Sequence, residues 1–318
     1  MTTRGMLERG GTFLGLVLVA LIFGFLVGPQ FFSGANLELM ARQTAIVSIA
    51  AVGMTVVIVA GGIDLSVGSI IALATVVIAL LLRSGASPAV AALGAVGAAA
   101  ICGVVNGVLI TQLRVVPFIV TLGTMLVIRG AAKGLAEERR IEAPVSWLND
   151  LLRVPRGAGL LPSGIWGVIA LALLVGGVLR YTRFGRHVFA IGSNERMARL
   201  CGVAISRTKV FVYVLGAAFA GVAGVLQFSK LSVGDPTVAI GLELDVIAAV
   251  IIGGGSLLGG RGTVLGTLIG AAIMTIIQIG CSQKGLANWV QQIVTGGIIV
   301  AAVALDQMRS GGHTREAR

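Results

Sequence analysis

The chain has 318 residues, 56% of them hydrophobic and 12% charged, with a mean hydropathy of +1.00 and a formal net charge of +11. One soluble core cannot hide that much apolar side chain, which excludes an ordinary globular enzyme and indicates a multi-span helical membrane protein. Cys102, Cys201 and Cys281 lie in separate tracts without a C-x-x-C pair, and His187 and His313, the only histidines, have no ligand-type neighbours. Neither a disulfide framework nor a metal site is therefore expected.

In chain order, apolar tracts occupy 11–29, 44–61, 67–82, 89–111, 118–132, 165–179, 211–228, 244–258, 263–281 and 286–305. These ten tracts, 15 to 23 residues long, suit a hydrocarbon core of about 30 Å. The expected fold is all-α, a polytopic bundle of about ten transmembrane helices, with 67–82 and 244–258 short enough to be half-helices. Arg4 and Arg9 precede the first tract as they would in a signal peptide, but no A-x-A-like cleavage site follows, so the tract is expected to remain as a span.

Between the sixth and seventh tracts, Arg180, Arg183, Arg186, Arg196, Arg199, Arg207 and Lys209 face a single acid, Glu195. By the positive-inside rule this loop, about 180–209, is cytoplasmic, which argues against reading the charge as a nucleic-acid footprint. In 133–162, Glu137, Glu138, Glu142 and Asp150 offset the cations, as suits the outer side. Six tracts precede the basic loop and four follow it, so both termini return to the cytoplasm, in agreement with Arg4, Arg9, Arg309, Arg315 and Arg318. The expected organisation is one transmembrane domain over 1–318, with short cytoplasmic tails at 1–10 and 307–318.

Small residues recur every fourth position at Gly94, Ala98, Cys102 and Asn106, at Gly216, Ala220 and Gly224, and at Gly262, Gly266 and Gly270. Four residues return to one helix face, where small side chains let backbones approach. Asn106 is expected to hydrogen-bond a neighbouring helix, the alternative being a place on a substrate path. Prolines 29, 88, 117, 144, 155, 162 and 236 stand at tract ends or in loops, which leaves glycine to break helices inside tracts. Two clusters do so, "GGID" at 61–64 and "GGGSLLGGRG" at 253–262, in matching positions of what resembles a weak internal duplication. Gly61, Gly62, Asp64, Ser66, Asn106, Gly253, Gly254 and Ser256 are accordingly the candidate pathway and gating residues. Asp64 or Ser66 can accept the free N–H groups where the new helix starts, a cap compatible with a direct role in gating or substrate contact.

Catalytic chemistry is not indicated. No G-x-x-x-x-G-K-[ST] loop is present to hydrolyse ATP, no cofactor motif is found, and the acids near the tracts, Asp64, Glu243 and Asp245, form no catalytic constellation. Those three acids do leave open an ion-coupled secondary transporter in which they titrate or bind sodium.

Within the basic loop, "SNERMARLCG" reads as a short helix, capped by Ser193 or Asn194 and ended by Gly202. Met197, Leu200 and Cys201 share one face, Arg196 and Arg199 another, so the helix either lies on headgroups or docks into a partner. This segment, in "GRHVFAIGSNERMARLCGV", resembles the coupling segment of ribose-type sugar permeases, the membrane subunits of bacterial ATP-binding-cassette importers. "AVGMTVVIVAGGIDLSVGSIIAL", "VPFIVTLGTMLVIRGAA" and "GDPTVAIGLELDVIAAVIIGGGSLLGGRGTVLGTLIGA" are similar to the same family, over about 44–275.

The resemblance implies a permease of the bacterial inner membrane that imports a monosaccharide or related polyol. It has no ATPase of its own, and its implied partners are a cytoplasmic double-cassette ATPase, a periplasmic sugar-binding protein and a second permease subunit, identical or not. Ser193, Asn194, Glu195, Arg196, Arg199, Leu200 and Gly202 are then the candidate ATPase contacts. Cys201 stands where the family more often has serine and Gly255 where it often has threonine, and neither changes charge. The stretch from "GLAEERRIEAP" to "GLLPSG" matches the family poorly, which places substrate identity in doubt there.

Overall fold

The computed structural model describes residues 3–153 and 161–315, with side chains at 11–153, 161–304 and 306–307. Pro155, Arg318 and the side chains of Arg4, Arg9, Arg309, His313 and Arg315 lie outside these described residues.

The elements run α1 (Thr3–Val27), α2 (Gly34–Val59), α3 (Val67–Arg83), α4 (Pro88–Leu113), α5 (Pro117–Leu135), β1 (Ile141–Glu142), α6 (Ser163–Tyr181), α7 (Arg183–Ser193), α8 (Glu195–Leu200), α9 (Ile205–Leu231), β2 (Val233–Gly234), α10 (Leu242–Ile252), α11 (Val264–Gln283) and α12 (Asn288–Arg315). Local chemistry accounts for many starts. Ser33, Ser87, Thr182, Asn194 and Thr263 each accept a first-turn N–H with the side chain, and proline opens α4 and α5. Among the described residues, six helices, α2, α4, α5, α6, α9 and α11, are long and apolar enough to cross a bilayer, while α3 and the described parts of α1 and α12 are shorter apolar stretches. The chain is thus a polytopic α-helical membrane protein. The tract at 244–258 is helical only as α10, 11 residues that stop at Ile252, a half-helix.

Burial orders the bundle. Along its most apolar stretch α2 is 83% buried and α5 only 22%, so α2 forms the axis and α5 the flank. α9 packs on α2, and α11 on the end of α10, through bare backbone, because a Cβ on Gly53 would come within 2.9 Å of the Gly216 carbonyl, and one on Gly253 within 2.5 Å of the Gly266 carbonyl.

Two expected features differ. On α4 the deeply buried small row is Ala91, Ala95, Ala99, Gly103 and Gly107, one position off Gly94, Ala98 and Cys102, although Asn106 is fully buried. Both rows repeat every four residues, and α9 selects the second, since a Cβ on Gly103 or Gly107 would sit 2.7 Å from the Cα of Val214 or Val210. Gly262 lies in a loop at φ +158° before α11, so only Gly266 and Gly270 continue that helical row. The basic loop, moreover, is mostly helical, since α7 precedes the expected short helix. Val188 and Ile191 of α7 are buried against the bundle, and Thr182 caps it through Gly185 N at 3.2 Å.

α9 has 27 residues and so spans about 40 Å, with α8 at its start and β2 at its finish. At that far end β2 pairs antiparallel with β1, tying the α9–α10 connection to the α5–α6 one.

Candidate functional site

The first break begins where Gly61, at φ +78°, ends α2. Its N–H reaches the Ile58 carbonyl at 2.9 Å and that of Gly62 reaches Val57 at 2.9 Å, the two bonds of a left-handed helix stop. Asp64, fully buried, follows. Its Oδ1 accepts the N–H of Ser66 at 2.8 Å and the Ser66 hydroxyl at 2.5 Å, while Asn106 Nδ2 of α4 donates to Ser66 Oγ at 2.9 Å. The cap therefore differs from the expected one. Asp64 closes a turn on Ser66, just ahead of α3, by accepting its N–H, and the Ser66 hydroxyl makes no bond to the first-turn amides: it donates to Asp64 and accepts from Asn106.

Three neighbours hold this break: Asn106 from α4, Thr121 of α5, which donates to the Ile63 carbonyl at 3.1 Å, and Tyr213 of α9, whose hydroxyl abuts Gly62. Thr121 and Tyr213 were missed because only the folded chain brings them to Asp64. Asp64 Oδ2, Asn106 Oδ1 and Tyr213 Oη, all buried, have no hydrogen-bond partner among the described residues.

The second cluster ends α10 in the same way. Gly254, at φ +89°, bonds Ile251 at 2.9 Å and Gly255 bonds Val250 at 2.8 Å. Ser256 Oγ donates to Asp306 of α12 at 3.1 Å, and Leu257 N reaches the same carboxylate at 3.3 Å. Asp306 is a third residue missed from sequence, one acid near the end of the last apolar tract with no local motif around it. Thr55 and Thr267 hydroxyls meet at 2.7 Å between α2 and α11, and Gly260 N donates to the Val59 carbonyl at 2.9 Å. The structure thus brings Gly61, Gly62, Asp64, Ser66 and Asn106 into one cluster and Gly253, Gly254 and Ser256 into another, adjoining at Val59.

Asp64 bonds neither of the other acids of the ion-coupled alternative. Glu243 accepts Gly241 N at 3.2 Å and lies against Gly68, and Asp245 accepts Gln278 Nε2 at 2.6 Å.

Between α7 and α9, Asn194 caps α8 by accepting Met197 N at 3.0 Å, and Gly202, at φ +82°, ends it. Glu195 holds Arg199 at 3.1 Å and Lys209 at 2.6 Å. Ala198 is buried beneath the helix, while Met197, Leu200 and Cys201 are exposed beside Arg196 and Arg199. A cavity of about 530 Å³, bordered by Arg114, Glu195, Arg199 and Lys209, separates α8 from the α4–α5 turn.

Residues 36–303 match the family described as branched-chain amino acid transport system / permease component. The chain belongs to this permease family. The permease is 36% identical to the ribose import permease protein RbsC of Escherichia coli K12, over 97% of this chain and 96% of the relative. It is 38% identical to the RbsC of Bacillus subtilis, covering 96% and 95%, and 34% identical to the fructose import permease protein FrcC of Rhizobium meliloti, covering 92% and 83%. No solved structure matches it.

Proposed function

We propose that this permease is the membrane subunit of an ATP-binding-cassette importer that carries a monosaccharide or related polyol across the cytoplasmic membrane of a bacterium. The observation that carries the proposal is α8, a capped helix with an uncovered apolar face and flanking arginines, which follows directly on the last turn of α7, where Gly192 and Ser193 lie against both helix breaks. Relatives whose names specify ribose, fructose and L-arabinose support the substrate class.

In this reading a double-cassette ATPase grips α8 through Arg196, Arg199 and Leu200, with Ser193, Asn194, Glu195 and Gly202 shaping the helix. ATP binding moves α8, and the bundle opens outward to a periplasmic sugar-binding protein seated at the β1–β2 end. Gly61, Gly62, Asp64, Ser66, Asn106, Gly253, Gly254 and Ser256 lie at the inner end of the path. A neutral polyol needs hydrogen bonds and no counter-charge, which agrees with Asp64 being turned onto Ser66. The chain works as one domain, 1–318, with both termini cytoplasmic and beside a second permease subunit. With the three acids held by separate partners, the ion-coupled alternative gains no support.

Proteoliposomes holding the permease, its ATPase and its binding protein should take up sugar only with ATP. Uptake that persists without the ATPase, or that follows a sodium or proton gradient, would overturn the proposal.

A further inference from the structure

Gly192 occupies a regular turn of α7, where glycine is about 1 kcal/mol worse than alanine and no unusual backbone angle calls for it. Contact accounts for it. A Cβ there would run into the Val59 carbonyl oxygen and come within 2.5 Å of Gly260 N. The other two segments are equally bare. A Cβ on Gly259 would lie 2.8 Å from the Gly192 carbonyl and 2.9 Å from Gly61 Cα, and one on Gly260 would lie 3.0 Å from Ser193 Cα and would meet the Ser193 hydroxyl. The Gly260 N–H to Val59 carbonyl bond of 2.9 Å closes the triangle. Three backbones therefore meet with only the Ser193 hydroxyl among them: the last turn of α7 before α8, the end of α2 at the first break, and the second glycine loop.

We infer that Gly192, Gly259 and Gly260 are positioning residues for transport, forming the joint through which movement of α8 reaches both helix breaks at once. Packed backbone has no rotamers to absorb a displacement, so a shift of Ser193 is passed on to Val59–Gly61 and to Gly259–Gly260 together. The inference rests on α8 being the coupling helix.

The test uses the complete transporter in proteoliposomes, with uptake and ATP hydrolysis measured side by side. Absence of ATP-driven uptake with the unaltered permease would sink the importer reading and this inference with it. Where uptake is present, Gly192→Ala should leave hydrolysis within about twofold, remove its stimulation by loaded binding protein, and lower uptake at least tenfold. Gly177→Ala, on α6 with nothing within 4 Å of its Cβ, should leave both unchanged. Gly192→Ala uptake within twofold of the parent overturns the inference. Should Gly192→Ala fail to assemble, Gly260→Ala, at φ +71°, is compared with Gly285→Ala, which has the same backbone strain at φ +70° but nothing within 4 Å of its Cβ. Gly260→Ala should lower uptake at least tenfold with hydrolysis within about twofold while Gly285→Ala keeps its uptake, and equal uptake in the two overturns the joint.

Discussion

The two ends of the bundle are built by opposite means. At the α8 end, glycine backbones from three segments lie against one another with only the Ser193 hydroxyl among them. At the β1–β2 end, side chains pin the α9–α10 connection. Arg129 of α5 donates to the Pro236 and Val238 carbonyls at 3.0 and 2.7 Å, Arg140 pairs with Asp235 at 2.7 Å, and Thr75 Oγ1 of α3 accepts Asp235 N at 3.2 Å. A backbone contact tolerates no added atom and is indifferent to salt and pH. A side-chain contact tolerates truncation and answers to both. On the proposed reading, the first construction suits a part that passes on a displacement, the second a part that holds its shape while a binding protein comes and goes.

Substitutions at the two ends should therefore fail differently. The largest effect is expected for Asp64→Leu, which strips the acceptor from Ser66 N and Oγ, at about 1–3 kcal/mol for each buried group. Asp64→Asn keeps an acceptor oxygen and should stay within about 1 kcal/mol of the parent. Thermal unfolding in detergent measures both, and equal losses would remove the turn from the account. Gly270→Ala comes next, since its Cβ would enter the Ala249 backbone between α10 and α11 and overpacking costs about 1–3 kcal/mol. A melting temperature unchanged by that alanine would show the glycine contacts to be looser than described.

At the far end the effect depends on pH. Burial raises the Asp235 carboxyl, but the Thr237 hydroxyl and N–H together with the Arg140 charge outweigh it and hold Asp235 below its ordinary value. A depressed carboxylate contributes its stability above the unfolded value, about 3.9, and loses it as pH falls through the lower folded one. The stability gap between the parent and Asp235→Asn should be full at pH 5 and above and should close as the solution is acidified below about 4. A gap that stays constant over that interval would mean Asp235 is not held by charge. The smallest change is expected for Arg140→Ala. The Arg140 side chain is 74% exposed, so the pair is worth at most about 1 kcal/mol and less in high salt.

The character of the chain and the places where its helices break were legible without tertiary information. Apolar tract length marks a span because each crossing must satisfy its own backbone in hydrocarbon, and "GGID" marks a stop because only glycine enters the left-handed region freely. Asn194 and Gly202 announced α8 for the same local reasons. Where two local solutions were equivalent, sequence could not choose. The two alanine and glycine rows of α4 have one period, and contact with α9 selected between them. Asp64 and Ser66 each had the chemistry to cap α3, and the fold set one to serve the other. α7 went unread because 11 amphipathic residues between two spans look like more of a charged loop.

What lies wholly beyond sequence is the meeting of residues 59, 192 and 260. Spans, breaks and caps are decided over a few residues by backbone hydrogen bonding and steric freedom, and the amino-acid order specifies them directly. The joint is decided by which helix faces pack across long stretches of intervening chain, so a glycine that looks ordinary in α7 acquires its purpose only when α2 and the second loop close against it.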